Sequence, residues 1–254
     1  MLMFILAVIP AAALMVYIYK KDTVEKEPKK LLLVLFLLGA LLTIAAAVAE
    51  TVLEKVFYLF ADGRSVLSVF IENFIIVALV EEGGKYLIFR KKAYNAPSFD
   101  HTFDAIVYSV FISLGFAAAE NILYVSGEGL GVAIMRGVMS VPGHAIDAVF
   151  MGYFFAMAKK QSFLNKGKEK QMLILALIVP TLLHGFYDFC LSTDSIVWIG
   201  IFAAYEVCIT IGAFILVNRL SKSDARLAPQ QIPDEPLPLW DEKNEAERLS
   251  QYYK

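Results

Sequence analysis

The sequence VFIENFIIVALVEEGGKYLIF, residues 69–89, decides the fold, because it is apolar over a bilayer's length and yet contains Glu81, Glu82 and Lys85. An ionised side chain at membrane depth costs at least about 2.5 to 3.5 kcal/mol on insertion scales, so such residues are kept where they pair or take part in a function. On a helix, Lys85 lies four residues after Glu81 and three after Glu82, within reach of either carboxylate. One ammonium cannot neutralise two carboxylates, so this helix is a candidate functional element.

The composition predicts a polytopic membrane protein. The 254 residues are 58% hydrophobic with a mean hydropathy of +0.62, which excludes an ordinary soluble domain of this length. We predict an all-α transmembrane bundle over residues 1–218, followed by a polar C-terminal tail over residues 219–254. About seven segments have bilayer length: Met1 to Tyr19, Leu31 to Ala49, Val69 to Phe89, Phe103 to Val125, Val132 to Ala158, Met172 to Leu191 and Ile196 to Val217.

Basic residues concentrate in alternate connections between these segments. Lysine and arginine cluster after segments one, three, five and seven, whereas the intervening connections hold little basic charge. The positive-inside rule therefore predicts that the N-terminus lies outside and the C-terminus inside. The tail is then cytoplasmic, and the protein is expected to be a multi-pass protein of the cell membrane.

Further ionisable residues lie in segments four to six, at a depth close to that of the two glutamates. With a helical rise of about 1.5 Å per residue, His144 is level with Glu81 and Glu82, and the others fall in the same outer half of the membrane. This levelness predicts one polar cavity enclosed by four consecutive segments. Its candidate catalytic residues are Glu81, Glu82, Lys85, Glu120, His144, His184 and Asp188.

An aspartate follows each membrane histidine at helical spacing. Asp147 comes three residues after His144, and Asp188 comes four residues after His184. Each pair can share a helix face, so we expect each aspartate to orient the ring of its histidine.

Four motifs occur together in segments three to six: Glu81-Glu82-x-x-Lys85, Phe103-Asp104-Ala105 with the run Gly115 to Asn121, the His144 helix, and His184-Gly185-Phe186-Tyr187-Asp188. Taken together, these motifs resemble the PrsW family of intramembrane proteases, related to the bacterial CPBP proteins and the prenyl-protein endopeptidase Rce. The resemblance implies cleavage of a single-pass membrane protein, typically an anti-sigma factor in an envelope stress response, at a first site near the outer face.

Peptide hydrolysis needs an activated water, stabilisation of the oxyanion and a proton for the leaving amine. Glu82 or Glu81 would deprotonate the water with help from His144, while Lys85 would hold the other glutamate. His184 would stabilise the oxyanion, and Asp188 would orient His184. Adjacent helical residues point about 100° apart, so the two glutamates are expected to differ in role, but the sequence leaves open which is the base.

A metal-dependent version of the same chemistry is also open. His144, His184 and one carboxylate, either Glu120 or Glu82, would hold a divalent metal such as Zn²⁺ with one position left for water. The sequence contains no HExxH motif, and ligands on separate helices cannot be verified by spacing. Metal and glutamate mechanisms therefore both stand at this stage.

Two functions from other classes compete with the protease. A proton-coupled transporter or channel could use the same carboxylates, histidines and lysine, but it predicts an internal repeat, and the sequence shows none. A ligand-sensing receptor would explain seven helices but not the concentration of titratable groups. The expected partners are a single-pass membrane protein substrate and the lipid bilayer, with no nucleic acid.

Overall fold

The computed structural model describes residues 2–63, 65–128, 130–193 and 195–227, with side chains described outside residues 2–7, 125–128, 130, 132 and 133. The described chain is helical throughout, apart from connections and one isolated bridge between His101 and Arg226. The helices are α1 (Leu2–Lys21), α2 (Lys29–Phe57), α3 (Val66–Ile71), α4 (Leu79–Ile88), α5 (Asp104–Glu128), α6 (Leu130–Val138), α7 (Ser140–Ser162), α8 (Lys166–Ser192) and α9 (Ile196–Lys222).

The predicted all-α, multi-pass architecture is confirmed. Each predicted segment coincides with helix, and in the described part of the chain five helices are long and apolar enough to cross a membrane. The count of seven spans and the orientation of the two ends stay predictions. The last helix continues to Lys222, past the predicted limit at 218, and the prediction for tail residues 228–254 lies outside the described residues.

The helix that carries the acidic motif is not a regular α-helix. It runs over residues 66–93, and π-helical turns at Glu72–Ala78 and Phe89–Ala93 flank α4 on both sides. Within it, the Asn73 side-chain amide donates to the carbonyl of Val69 at 2.7 Å. Such π-helical turns are frequent at functional sites, and the hydrophobic pattern did not indicate them.

The predicted fifth segment is divided at Met139 into α6 and α7. Pro142 explains the break, because it cannot donate to the carbonyl four residues earlier and its ring clashes with that carbonyl. The division places α6 as a short helix against α5 and α1, while α7 continues into the core.

Helix α5 is the centre of the bundle and packs against α1, α2 and α7. Its crossing with α2 depends on two glycines: a Cβ at Gly39 would lie 2.0 Å from the Ile112 carbonyl oxygen, and one at Gly115 would lie 2.1 Å from the Phe36 carbonyl oxygen. The two backbones therefore touch, as in membrane bundles packed through small residues. Helix α9 is peripheral and leaves most of its apolar surface free to face lipid.

Candidate active site

Three charged side chains of α4 are buried inside the bundle. Glu81, Glu82 and Lys85 are 4%, 0% and 1% exposed. The Lys85 ammonium lies 2.6 Å from Glu82 Oε1 and 3.2 Å from Glu81 Oε2, and it also stands 4.3 Å from the centroid of the Phe116 ring. Both contacts that the helical spacing allowed are therefore made, and the shorter one goes to Glu82.

His184 of α8 is held between carboxylates on both ring nitrogens. Its Nδ1 lies 3.0 Å from Glu82 Oε1 and 3.9 Å from Glu81 Oε2, and its Nε2 lies 3.1 Å from Asp188 Oδ2. The expectation that Asp188 orients this ring is confirmed. On the same helix, a Cβ at Gly185 would lie 2.6 Å from the Phe74 ring, so the glycine lets α8 approach the acidic helix.

His144 of α7 joins the same network through other partners than expected. Its Nδ1 lies 3.2 Å from Lys85 Nζ, and its Nε2 lies 3.0 Å from Glu120 Oε2. Because an ammonium only donates, Nδ1 accepts and Nε2 donates to Glu120. The expectation that Asp147 orients this ring is wrong, since both nitrogens have other partners.

Glu120 connects His144 to a cationic residue on α6. Arg136 places a guanidinium nitrogen 2.7 Å from Glu120 Oε2, and its guanidinium stacks 3.8 Å from the centroid of the Tyr124 ring. Glu120 therefore fixes the orientation of the histidine, and Arg136 supplies its counter-charge.

A cavity of about 560 Å³ opens beside this network. Neither Glu82 nor Lys85 belongs to its lining, which includes Glu50, Glu81, Glu120, His144, Asp147, His184, Tyr187 and Asp188. The structure thus distinguishes the two glutamates: Glu81 lines the cavity, whereas Glu82 is buried and does not line it. All seven candidate residues from the sequence are brought together around this space.

Two acidic residues of α2 also reach the cavity and were not predicted. Glu50 and Glu54 both line it, and Glu50 Oε1 is buried without a hydrogen-bond partner. The signal was their position directly after the apolar run of the second segment, at a spacing of four residues that puts both on one helix face.

Four of these side chains form a group that fits a divalent metal. Glu81, Glu82, His144 and His184 each offer a ligand atom, and these atoms lie within 4.8 Å of one another. The Oε2 atom of Glu82 is buried and has no hydrogen-bond partner, so a donor oxygen is free at the site. Buried histidine and carboxylate donors are a recognised zinc-binding combination.

The structure refines the predicted ligand set. Glu82 belongs to the four-residue group, whereas Glu120 is hydrogen-bonded to His144 from outside it, as supporting carboxylates do around metal-binding histidines. The Lys85 ammonium lies among three of the four residues, so a metal ion bound there has to displace it.

Comparison with known proteins identifies a family whose matched region includes these site residues. Residues 27–217, which contain the whole cavity network, match the family model described as "PrsW family intramembrane metalloprotease". The chain belongs to the PrsW family. It is 39% identical over 196 residues to Protease PrsW of Clostridioides difficile strain 630, covering 76% of this chain and 80% of that protein. It is 38% identical over 186 residues to Protease PrsW of Bacillus subtilis strain 168, covering 73% of this chain and 81% of that protein.

Membership of the PrsW family confirms the resemblance seen in the sequence and makes the chain a membrane-embedded peptidase that acts on membrane proteins. No solved structure matches the chain. The family's description as metalloproteases agrees with the buried group of glutamates and histidines, and neither the transporter nor the receptor alternative gains support.

Proposed function

We propose that this PrsW-family peptidase hydrolyses a peptide bond of a single-pass membrane protein in the outer half of the bilayer. The observation that carries the proposal is that Glu81, His144 and His184 line one cavity. The Lys85–Glu82 ion pair beside them is buried and does not line it. In this cavity, water and a substrate backbone can meet a carboxylate and two imidazoles among otherwise apolar helices.

Glu81 is the proposed general base. Glu82 is held by Lys85 at 2.6 Å and by His184 at 3.0 Å, and it does not reach the cavity. Glu81 is bound less closely by Lys85, at 3.2 Å, and faces the cavity, so it can accept a proton from a water placed there. This assigns different roles to the two glutamates, which the sequence left open.

The histidines are proposed to handle the other charges of the reaction. His184, oriented by Asp188, stabilises the oxyanion that forms on the substrate carbonyl. His144 assists the base, and its Nε2–H is kept in place by Glu120. Glu82 and Asp188 keep the His184 ring in one orientation, and Lys85 and Glu120 do the same for the His144 ring.

In a metal-dependent form of this mechanism, a divalent ion, proposed to be zinc, would be held by His144, His184 and Glu82, and it would stabilise the oxyanion in place of His184. When bound, the ion would polarise the scissile carbonyl and lower the pKa of a coordinated water. Lys85 then has to leave the space between Glu82 and His144, and Phe116 lies beside its ammonium.

The proposed substrate is an anti-sigma factor or a similar single-pass protein of envelope stress signalling. This rests on the family resemblance and on the position of the cavity, at the end of the bundle away from the basic connections. The cell membrane is the proposed location, with N-terminus out, and residues 219–254 are proposed to form a cytoplasmic tail after the protease domain of residues 1–218.

The test is cleavage of a tagged single-pass substrate of the anti-sigma type by the purified full chain in proteoliposomes. Wild type should cut, while Glu82→Gln and His184→Ala should lose cleavage but insert normally. Glu206→Gln is the matched control, because Glu206 is a half-buried carboxylate on α9 outside the cavity lining. Chelation should stop wild-type cleavage and Zn²⁺ should restore it; unchanged cleavage in both site variants would overturn the site.

A further inference from the structure

A second group of buried acids lies at the other end of the bundle from the cavity. It consists of Asp22 directly after α1, Asp104 at the start of α5 and Asp224 just after α9, here called the basal aspartate cluster. Asp22 is 0% exposed, Asp104 is 1% exposed and Asp224 is partly buried. One carboxylate oxygen from each lies within 4.8 Å of the others.

Hydrogen bonds position two of these carboxylates. Asp104 Oδ2 accepts from the backbone N–H groups of Asp100 at 3.0 Å and His101 at 2.7 Å. Asp224 Oδ1 accepts from the Thr102 hydroxyl at 2.9 Å and from the Phe103 N–H at 2.8 Å. The segment before α5 thus wraps around both side chains and fixes them.

Three other oxygens of the cluster, on Asp22 and Asp224, are buried without partners. Both carboxylate oxygens of Asp22, and Oδ2 of Asp224, are inaccessible and make no hydrogen bond. A buried polar atom without a partner is costly, and a buried charged one is costlier, so native proteins seldom retain several together. The free oxygens therefore point to a ligand that accepts their lone pairs.

Within the described part of the chain, no cationic side chain forms an ion pair with this cluster. None of the ion pairs within 4.0 Å in the described part of the chain includes Asp22, Asp104 or Asp224. Lys26, four residues after Asp22, donates to the backbone carbonyls of Tyr19, at 2.6 Å, and of Asp22. Lys21 donates to Asn218 at 2.6 Å.

We propose that the basal aspartate cluster binds a hard divalent cation, Mg²⁺ or Ca²⁺. Three clustered carboxylates, of which Asp22 and Asp224 have unpaired oxygens, are an all-oxygen anionic donor set, which is what these ions prefer over nitrogen or sulfur ligands. The ion supplies the counter-charge that no described lysine, arginine or histidine provides within ion-pair distance. Water completes its coordination shell.

The ion would join three parts of the chain that are far apart in the sequence. Asp22 and Asp224 both lie outside residues 27–217, the part that matches the family, whereas Asp104 begins the central helix. The segment after α9 is already tied to the start of α5 by Leu227 N–H to Asp100 at 2.6 Å and Thr102 N–H to Ala225 at 3.0 Å. The cation therefore tethers α1 and the end of α9 to the core, independently of the proposed peptidase chemistry.

The experiment separates this site from the active-site group. The full chain carrying Glu82→Gln, which disables the candidate catalytic metal site, is stripped with chelator in detergent and titrated with Mg²⁺ and with Ca²⁺ separately. Equilibrium dialysis should show saturable binding of a single ion per chain, and the unfolding temperature should rise with ion concentration. Adding Asp22→Asn should weaken binding by about tenfold or more, because it removes one anionic ligand.

Glu169→Gln is the matched control, because Glu169 is a carboxylate at the same end of the bundle that has partners, Tyr94 at 2.9 Å and Lys166 at 3.2 Å. It should bind the ion as the parent does. Where Asp22→Asn fails to fold, Asp224→Asn makes the same test. Absence of saturable binding by both ions, or equal binding with and without the aspartate, would overturn the proposal and indicate carboxyls that share protons instead.

Discussion

The two ends of this molecule bury acidic side chains in opposite ways. At the cavity end, Glu82 is 2.6 Å from the Lys85 ammonium, and histidines complete the network. At the basal end, Asp22 and its neighbours have no cationic side chain within ion-pair distance among the described residues, and several oxygens are unpaired. A cluster with its own ammonium and imidazoles suits proton transfer and a zinc-like metal, while an all-oxygen cluster suits a hard cation.

The electrostatics outside the membrane segments agree with this contrast. Burial raises the pKa of the Glu27 carboxyl to about 7, and the Tyr108 hydroxyl that donates to it only partly offsets that effect. Burial also raises the pKa of Asp22 above its usual range, with Lys26 acting in the opposite direction. Both shifts are those of acids that lack a sufficient counter-charge.

The largest expected effect comes from removing the Lys85 ammonium, which distinguishes the cavity end from the basal end. Lys85→Met leaves two buried carboxylates without their ammonium, so we expect the free energy of unfolding to fall by about 3 to 5 kcal/mol. Denaturation in detergent should show this loss. Added Zn²⁺ should stabilise the variant more than wild type, because the ion no longer displaces an ammonium.

Lys55→Met is the control for that variant, since Lys55 is an exposed lysine of α2. Its stability should stay within about 0.5 kcal/mol of wild type. Equal stability of Lys85→Met and Lys55→Met would show that the buried ion pair does not hold the cavity end together.

Asp188→Asn tests whether Asp188 positions His184 at the cavity end. It keeps the shape of the side chain but removes the charge 3.1 Å from His184 Nε2. Loss of such a supporting carboxylate typically costs about 10- to 100-fold in metal affinity or activity. Zinc content and cleavage rate should both fall, and an effect no greater than that of Glu206→Gln would contradict the positioning role.

Crossed metal titrations should separate the two ends. At an ion concentration about 100 times the dissociation constant, binding stabilises the folded state by about 2.7 kcal/mol. Stabilisation by Mg²⁺ or Ca²⁺ should persist in Lys85→Met, and stabilisation by Zn²⁺ should persist in Asp22→Asn. Unfolding temperatures measured with each ion test this, and loss of both responses in one variant would mean that the clusters are not independent.

The smallest expected effect comes from removing a hydrogen bond that holds the basal aspartate cluster in place. Thr102→Val removes the hydroxyl that donates to Asp224 Oδ1 at 2.9 Å. Loss of this hydrogen bond should lower the free energy of unfolding by about 0.5 to 1.5 kcal/mol. Calcium and magnesium affinity should change by a smaller factor than in Asp22→Asn, and a larger change would mean that Thr102 itself is a ligand.

The sequence predicted the cavity end well because its signals are local. Bilayer-length apolar runs fixed the helices, and helical spacing predicted the contacts of Lys85 with both glutamates and of Asp188 with His184. Depth along each helix then brought residues from four segments together. The same reasoning failed for Asp147, because a shared helix face does not exclude a nearer partner from another helix, here Glu120.

The features that the sequence did not predict depend on tertiary contacts, which residue spacing along the chain does not indicate. The proposed division of roles between Glu81 and Glu82 follows from which one faces the cavity. Glu50 lines that cavity from α2, which Gly39 and Gly115 allow to lie close to α5. The basal aspartate cluster joins residues some hundred positions apart, so no local spacing in the sequence indicates it.

The most direct test of the central claim is the rate of substrate cleavage by Glu81→Gln in proteoliposomes, with the product ends mapped by mass spectrometry. If Glu81 is the base at the cavity, wild type should cut a bond in the outer half of the substrate's membrane segment, and the variant should be slower by about 10²- to 10⁴-fold with its fold retained. Cleavage by Glu81→Gln at the wild-type rate, or at a bond on the cytoplasmic side, would contradict the account.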